Sequence, residues 1–337
     1  MVGVSYAQAQ SRTIMRLTGS IDHRLAIEMT LEREGSQLEG FYFYDRIGRA
    51  VIVSGSLSKT GRVRLEEGDA SFTGTLVEGK RLTGNWRKRK GGHELPFTLD
   101  VEANPPTKQD IPGSALLEEK RLRIQRSQKR NSHDSQIRIH YPIVHGSRDA
   151  ATLRKLNHAL SPDVTYELGP GEKLSEDGWL DEIDYVLNYN KHSILDITFS
   201  VSGMGAYPDI LSEHVLLNLK TGDPIRAADV FVPSALQSLA DLIDKNFQEE
   251  LRDARRSDAN EGGVADRLEG LHFEVEDLDH FSVGEKGLTF RAEYGFPHAI
   301  KAAEPPGLFF YPYTTLRPYV RQDGLLAPFY PTLHRAK

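Results

Sequence analysis

The chain has 337 residues, no cysteine, 39% hydrophobic and 27% charged residues, and a formal net charge of −6. That charge excludes broad nucleic-acid affinity, which needs a strongly basic surface. The missing cysteines exclude disulfides, thiolate zinc sites and cysteine nucleophiles, and no run of about 18 apolar residues is present to cross a membrane as a helix.

A single domain usually runs to roughly 100–200 residues, so two domains are expected. Residues 1–10 come first. Val4-Ser5-Tyr6-Ala7-Gln8-Ala9-Gln10 reads as the remnant of a secretory signal peptide, with Ala7 and Ala9 in the A-x-A relation and cleavage after Ala9. The expectation is a periplasmic or secreted protein. The other reading is an N-terminal tail that matches a cleavage site by chance.

Residues 11–103 carry a recurring unit of apolar residue, variable residue and glycine: Leu17-Thr18-Gly19, Leu38-Glu39-Gly40, Val53-Ser54-Gly55, Phe72-Thr73-Gly74 and Leu82-Thr83-Gly84. Between these units lie runs that alternate with period 2, such as Leu25 to Leu31 and Phe41 to Tyr44, which place one face of a strand on a core. Turn signals at Gly35, Gly48, Gly61 and Gly79 separate the runs. The pattern predicts an all-β antiparallel meander that closes into a small barrel or a tight sandwich, with the glycines serving the sharp coiling. The stretch from Leu82 to Trp86, followed by Leu95-Pro96-Phe97-Thr98-Leu99, resembles the last strands of lipocalin-like domains in envelope proteins. Such a barrel either holds a small apolar ligand or fills itself with its own side chains. Arg87-Lys88-Arg89-Lys90 reads as a solvated hairpin turn or an anion-binding tip.

Residues 104–113, Asn104-Pro105-Pro106-Thr107-Lys108-Gln109-Asp110-Ile111-Pro112-Gly113, have linker composition. Residues 114–337 then read as an α+β partner-binding domain with a mixed or antiparallel sheet and a few helices. Strands are expected at Leu122–Ile124, Ile137–Tyr141, Tyr185–Tyr189, Ile194–Val201 and Val215–Leu219. A helix is expected over Ala150–Leu160, with Ser147 as N-cap. A second helix follows Pro233-Ser234, with Leu236, Leu239, Ala240, Ile243 and Phe247 as its apolar stripe. The last block is a strand over Gly287–Tyr294, another around Leu308–Tyr311, and a short helix toward Val320. Strands gathered around few helices, without regular alternation, make the chain α+β overall.

Several features of this second domain stand in order. They are Tyr141-Pro142; Leu156-Asn157; Phe199 to Pro208 through Gly203-Met204-Gly205-Ala206-Tyr207; Leu216 to Ile225; Ala228-Asp229-Val230-Phe231; Phe281 to Phe290; and Phe310-Tyr311-Pro312-Tyr313. The set resembles an uncharacterised C-terminal domain shared by lysozyme-sensing anti-sigma factors and some peptidoglycan deacetylases, over roughly residues 112–326. The resemblance implies an extracytoplasmic domain that binds something at the cell wall, and in the anti-sigma relatives the partner is lysozyme. Nothing in the sequence matches their transmembrane helix or sigma-binding segment, so the resemblance carries binding and not signalling.

Catalytic signatures are missing. There is no Gly-x-Ser-x-Gly run, no His-Glu-x-x-His, no His-x-x-x-His pair among the twelve histidines, and no phosphate or dinucleotide fingerprint. No catalytic residue, metal ligand or cofactor is therefore assigned. Two acidic groups, Glu274/Glu276/Asp277/Asp279 beside His280 and Asp181/Glu182/Asp184, admit a glycosidase pair or a solvated edge; the first run lacks the glycine and ligand alternation of a calcium loop. The candidate binding residues are Gly203, Gly205, Tyr207 and Pro208 in one turn, with Tyr311 and Tyr313. Each is read either as a recognition surface or as a structural corner or core packing. The expected role is a non-enzymatic envelope protein binding a lysozyme-like protein or a cell-wall glycan, with no nucleic-acid partner and no transmembrane segment. The alternatives are an enzyme acting on cell-wall glycan and a carrier of a small apolar ligand.

Overall fold

The computed structural model describes residues 13–44, 47–89, 92–103, 113–127, 136–146, 149–205, 208–257, 264–296, 301 and 304–330. Eight strands come first: β1 (Thr13–Ile21), β2 (Leu25–Glu34), β3 (Gln37–Tyr44), β4 (Ala50–Leu57), β5 (Arg62–Glu67), β6 (Ala70–Val77), β7 (Arg81–Lys88) and β8 (Glu94–Val101). Each pairs antiparallel with the next, and β1 returns to pair antiparallel with β8, so the sheet is a closed barrel. Closure leaves no edge strand to template aggregation.

The repeated glycines make that closure possible. In each unit the apolar residue is buried, and the glycine two positions on faces the same way. Gly55 lies opposite Leu65 in the β4–β5 pair, where a Cβ would stand 2.8 Å from the carbonyl carbon of Arg64 and 2.9 Å from the Cα of Leu65. Gly74 and Gly84 pair directly with one another across β6 and β7. At these places one backbone crosses where a side chain would otherwise be, and the strands coil tightly enough to close. Gly55→Ala is expected to cost about 1–3 kcal/mol through overpacking. A urea midpoint equal to the parent's would show that the coiling does not need glycine there.

The second half begins with β9 (Leu116–Gln125) and β10 (Gln136–His145), then α1 (Ala150–Ala159) and α2 (Pro162–Thr165), then β11 (Leu180–Lys191), β12 (Ile194–Met204) and β13 (Pro208–Asn218). It continues through α3 (Ala227–Val230), a helical turn at Pro233–Ala235, α4 (Leu236–Ser257), α5 (Val264–Arg267), β14 (Phe281–Val283), β15 (Gly287–Arg291), β16 (Leu308–Pro312) and α6 (Tyr313–Leu316). The sheet-rich second half bears out the expected α+β class. The strand expected over Gly287–Tyr294 stops at Arg291. The cap of α1 is Asp149, whose carboxylate accepts the N–H groups of Ala151 at 2.9 Å and Thr152 at 3.0 Å; Ser147 lies outside the described residues. No helix among the described residues is long and apolar enough to cross a membrane.

The chain forms two compact units: residues 1–104, 240–274 and 289–312 in one, and residues 105–239, 275–288 and 313–337 in the other. In the barrel unit, Leu17, Ile27, Leu31, Tyr42, Phe72 and Phe97 belong to one buried cluster inside the barrel. Phe72 stands edge-on to both Tyr42 and Phe97, at 5.5 and 5.2 Å between ring centroids. The barrel is thus filled by its own side chains. The β3–β4 connection is gripped from outside: Phe310 donates its N–H to the Gly48 carbonyl at 2.7 Å, and Arg49 pairs with Asp253 of α4 at 2.7 Å.

In the other unit, β13, β12, β11, β10 and β9 form a five-stranded sheet in that order. β10 and β11 run parallel and all other neighbours antiparallel, so the parallel pair needs a crossover, which α1 and α2 provide. One face of the sheet carries Ile137, Ile139, Ile183, Ile197, Phe199 and Val201, and with Leu156 and Leu160 these form the unit's main core.

Candidate functional site

Period-2 alternation turns the remaining residues of β10–β13 to the opposite face of the sheet. Direct cross-strand pairing lines them up in rows. One row runs Ser212, Ser200, Asp184, and the next Ile210, Ser202, Glu182, Arg138, Arg123; His214, Thr198 and Val186 form a third. Ser200, Ser202, Thr198 and His214 are half-buried and Ser212 is exposed. On the β10–β11 side the charges pair off, Arg138 with Glu182 at 3.3 Å and His140 with Asp184 at 3.6 Å. On the β12–β13 side the face carries Thr198, Ser200, Ser202 and Ser212 together with His214 and the exposed Ile210.

On the same face, where β14 meets the sheet, lies a carboxylate with no solvent exposure, Asp196. Its Oδ1 accepts hydrogen bonds from Asn188 Nδ2 at 2.6 Å and from His214 Nε2 at 2.9 Å, and its Oδ2 accepts the N–H of Val283 at 2.7 Å. Asn188 also donates to Thr198 Oγ1 at 2.8 Å. Burial alone would raise the Asp196 pKa, but the charge of His214 and the bonds from His214, Asn188 and Val283 together hold it below the ordinary carboxylate value. The group joins three strands of the sheet to β14.

Ser282 stands 3.2 Å from His214, which places serine, histidine and aspartate together. Their geometry differs from that of a hydrolytic triad. In a triad the aspartate orients one imidazole nitrogen while the other takes the proton of the serine. Here Asp196 and Ser282 both address Nε2, so the nitrogen that would have to act as base already faces the carboxylate. The arrangement orients the imidazole through one nitrogen, Nε2.

The residues singled out from sequence fall as follows. Gly203 is buried and paired within the sheet to Leu180 and Asp209. A Cβ there would come 2.5 Å from Cδ2 of Trp179, whose indole crosses it. Gly205 is exposed at the end of β12, Tyr207 lies outside the described residues, and Pro208 pairs with Met204 to close the β12–β13 hairpin. Tyr311 is 6% exposed in the barrel unit, its hydroxyl accepting from Asn246 at 2.9 Å and donating to the Leu242 carbonyl at 3.2 Å. Tyr313 is 7% exposed in the other unit, donating to the Gly284 carbonyl at 2.8 Å and stacked on Phe329 at 4.1 Å. Both tyrosines are internally satisfied.

Glu274 and Glu276 are exposed, and Asp279 accepts the N–H of Ala227 at 2.7 Å at the start of α3. Asp181 pairs with Arg126. No group of three or more histidine or acidic residues among the described residues could hold a metal ion. In the basic run, Arg87, Lys88 and Arg89 pair with Glu94, Asp69 and Glu66; Lys90 lies outside the described residues. Sequence reasoning missed Asp196 and His214, although a lone acid inside Ile194-Leu195-Asp196-Ile197 was a visible signal, because a buried charge needs partners.

Among the described residues of the barrel unit, Glu67 and Glu250 are buried carboxylates. Glu67 accepts from Trp86 Nε1 at 2.9 Å and from the Tyr42 hydroxyl, with the Tyr44 hydroxyl 3.0 Å from that of Tyr42. Burial raises the pKa of Glu67, Tyr42 and Tyr44. Glu250 of α4 accepts the N–H of Gly307 at 3.1 Å and the hydroxyl of Tyr294 at 3.3 Å, and burial pushes its pKa up to about 7.

Fold and site together define a class: a closed antiparallel eight-stranded barrel followed by a sheet-rich α+β domain with few helices. No protein-family profile and no curated protein matches the chain. Among solved structures, a member of the DUF3298 family from Bacteroides fragilis is similar at 11% identity, covering 65% of this chain and 99% of its own, with a TM-score of 0.42. A DUF3298 family protein from Pseudomonas aeruginosa is similar at 14% identity, covering 61% and 94%, with a TM-score of 0.36.

Proposed function

We propose that this chain is a non-enzymatic, exported protein of the cell envelope whose α+β unit binds a cell-wall glycan or a lysozyme-like protein. The observation that carries the reading is the Asp196–His214–Ser282 cluster. A buried carboxylate pins an imidazole at a polar sheet face, in a geometry suited to presenting a fixed group and unsuited to acyl transfer. The ordered motifs from Tyr141 to Tyr313, with their resemblance to the extracytoplasmic domain of lysozyme-sensing anti-sigma factors and peptidoglycan deacetylases, support the envelope setting, as does the Ala7-Gln8-Ala9 site. Neither alternative role has comparable support. Glu274 and Glu276 are exposed, and the barrel interior is filled.

The test is sedimentation of the full chain with insoluble peptidoglycan, and calorimetry against a c-type lysozyme, each beside an assay for glycan turnover. Binding to at least one without turnover is the expected result. Release of sugar fragments, or failure to bind either at high micromolar concentration, would overturn the proposal.

A further inference from the structure

We infer that the outer edge of β13 pairs antiparallel with the same edge of a second copy of this chain, on a twofold axis through Ser212, so that the sheet of one copy runs on into that of the other. This inference is independent of the envelope role proposed above.

The backbone carries it first. Among the described residues β13 ends the five-stranded sheet, with β12 on one side only. Toward the end of β13 the Leu216 carbonyl accepts the N–H of Ile225, and the Asn218 N–H donates to the Asp223 carbonyl, each at 2.9 Å. Leu216 and Asn218 thus aim these backbone groups away from β12, and with period 2 so do Ile210, Ser212 and His214. The Ile210 N–H meets the Asp209 carboxylate at 2.8 Å, as an outward group can. No backbone hydrogen bond among the described residues reaches the outward groups of Ser212 and His214. At the two ends of this run, Pro208 has no N–H to offer and the Leu216 carbonyl is taken. The open stretch from Ile210 to His214 is therefore symmetric about Ser212, as a twofold contact of one strand with itself requires. In that register Ser212 bonds Ser212 of the second copy in both directions, and the His214 N–H donates to the Ile210 carbonyl opposite.

Side chains favour the same pairing. The other edge strand, β9, exposes Glu118, Glu119, Lys120, Arg121 and Arg123, the kind of charge that guards an edge left in water. β13 instead exposes Ile210 at 45% and Leu211 at 44%. Leu211 lies opposite the buried Val201, so a second copy extends an apolar surface that otherwise ends in water. Charge selects the register. Centring the pair on Leu211 would set Asp209 against Glu213, a destabilising like-charge contact. Centring it on Ser212 sets Leu211 against Glu213, Ile210 against His214 and Asp209 against Val215, and makes the two Leu211 side chains diagonal neighbours. Because the contact is isologous it closes as a dimer.

Sedimentation equilibrium of the full chain is expected to show monomer and dimer in exchange, with a dissociation constant on the order of 100 µM, the weak end that so short a contact allows. Ser212→Pro removes the central donor with a residue that an edge strand tolerates, and should weaken dimerisation about tenfold or more. The chain has no cysteine, so single replacements report contacts without background. Ser212→Cys puts two thiols on paired residues about 5.5 Å apart at Cα, within reach of a disulfide, and is expected to give a covalent dimer on mild oxidation. Ile210→Cys is at an equally exposed position but lies about 14 Å from its counterpart in this register, and should stay uncrosslinked. A full chain that remains monomeric at every concentration, with Ser212→Cys failing to crosslink, overturns the inference and leaves the edge to a strand of another protein. Equal crosslinking at both positions, or a Ser212→Pro dimer as tight as the parent's, would place any self-association elsewhere and overturn it as well.

Discussion

Asp196→Ala is expected to destabilise the α+β unit by about 3–5 kcal/mol, the usual cost of removing one partner from a buried ionic cluster. The carboxylate is wholly buried and is the shared acceptor for Asn188, His214 and the Val283 N–H. Its loss removes the acceptor that these three donors share. Trp86 lies in the barrel unit and Trp179 in the other, so Trp179 fluorescence in a Trp86→Phe background reports this unit alone. The pH dependence has a definite sign. The folded pKa of Asp196 lies below the ordinary carboxylate value, so its contribution is present above roughly pH 4 and is lost as pH falls through the folded value. Asp196→Asn cannot titrate, and its acid limb should be shallower than the parent's. A parent-like urea midpoint for Asp196→Ala at neutral pH would remove the cluster from any central role, and an Asp196→Asn acid limb as steep as the parent's would assign that limb to other groups.

The parts of this fold that could be read from sequence rest on short-range signals. The barrel announced itself because its closure needs glycine at a repeated strand position, and Gly19, Gly40, Gly55, Gly74 and Gly84 each follow a buried residue by two. Strands β11 and β12 were legible from alternation, and α1 from the spacing of its leucines. The candidate site was not. Asn188, Asp196, His214 and Ser282 are separated by as many as 94 positions, and they meet only because β14 returns to the sheet. No local pattern encodes that return. Gly203 shows the reverse problem. Its neighbours make a conspicuous motif, yet its buried, strand-paired position is explained locally by the Trp179 indole crossing it. The same limit applies in the barrel unit, where Gly48 and Arg49 are gripped by Phe310 and Asp253, more than 200 positions away.

Glu250→Gln is expected to stabilise the barrel unit relative to the parent by about 3 kcal/mol at pH 8 and by under about 1 kcal/mol at pH 5. Glu250 of α4 accepts the Gly307 N–H and the Tyr294 hydroxyl, and the Tyr294 ring stacks on Phe247 at 5.4 Å between centroids. Burial dominates the nearby charge of Arg49 and raises its pKa to about 7, so the folded chain keeps a proton that the unfolded chain gives up near pH 4.5. A raised pKa contributes stability that is fully present below the unfolded value and is lost as pH rises through the folded one. At about 1.4 kcal/mol per pH unit over about 2.5 units, the loss comes to about 3 kcal/mol. Glutamine keeps an acceptor for Gly307 and carries no charge, so it behaves as the protonated acid at every pH. Urea unfolding followed by Trp86 fluorescence in a Trp179→Phe background, repeated from pH 5 to 8, measures the difference directly. If parent and Glu250→Gln lose stability in parallel across that range, the carboxyl is not the group that titrates. If they diverge as expected, raising the pH weakens the hold of α4 on Tyr294 and Gly307.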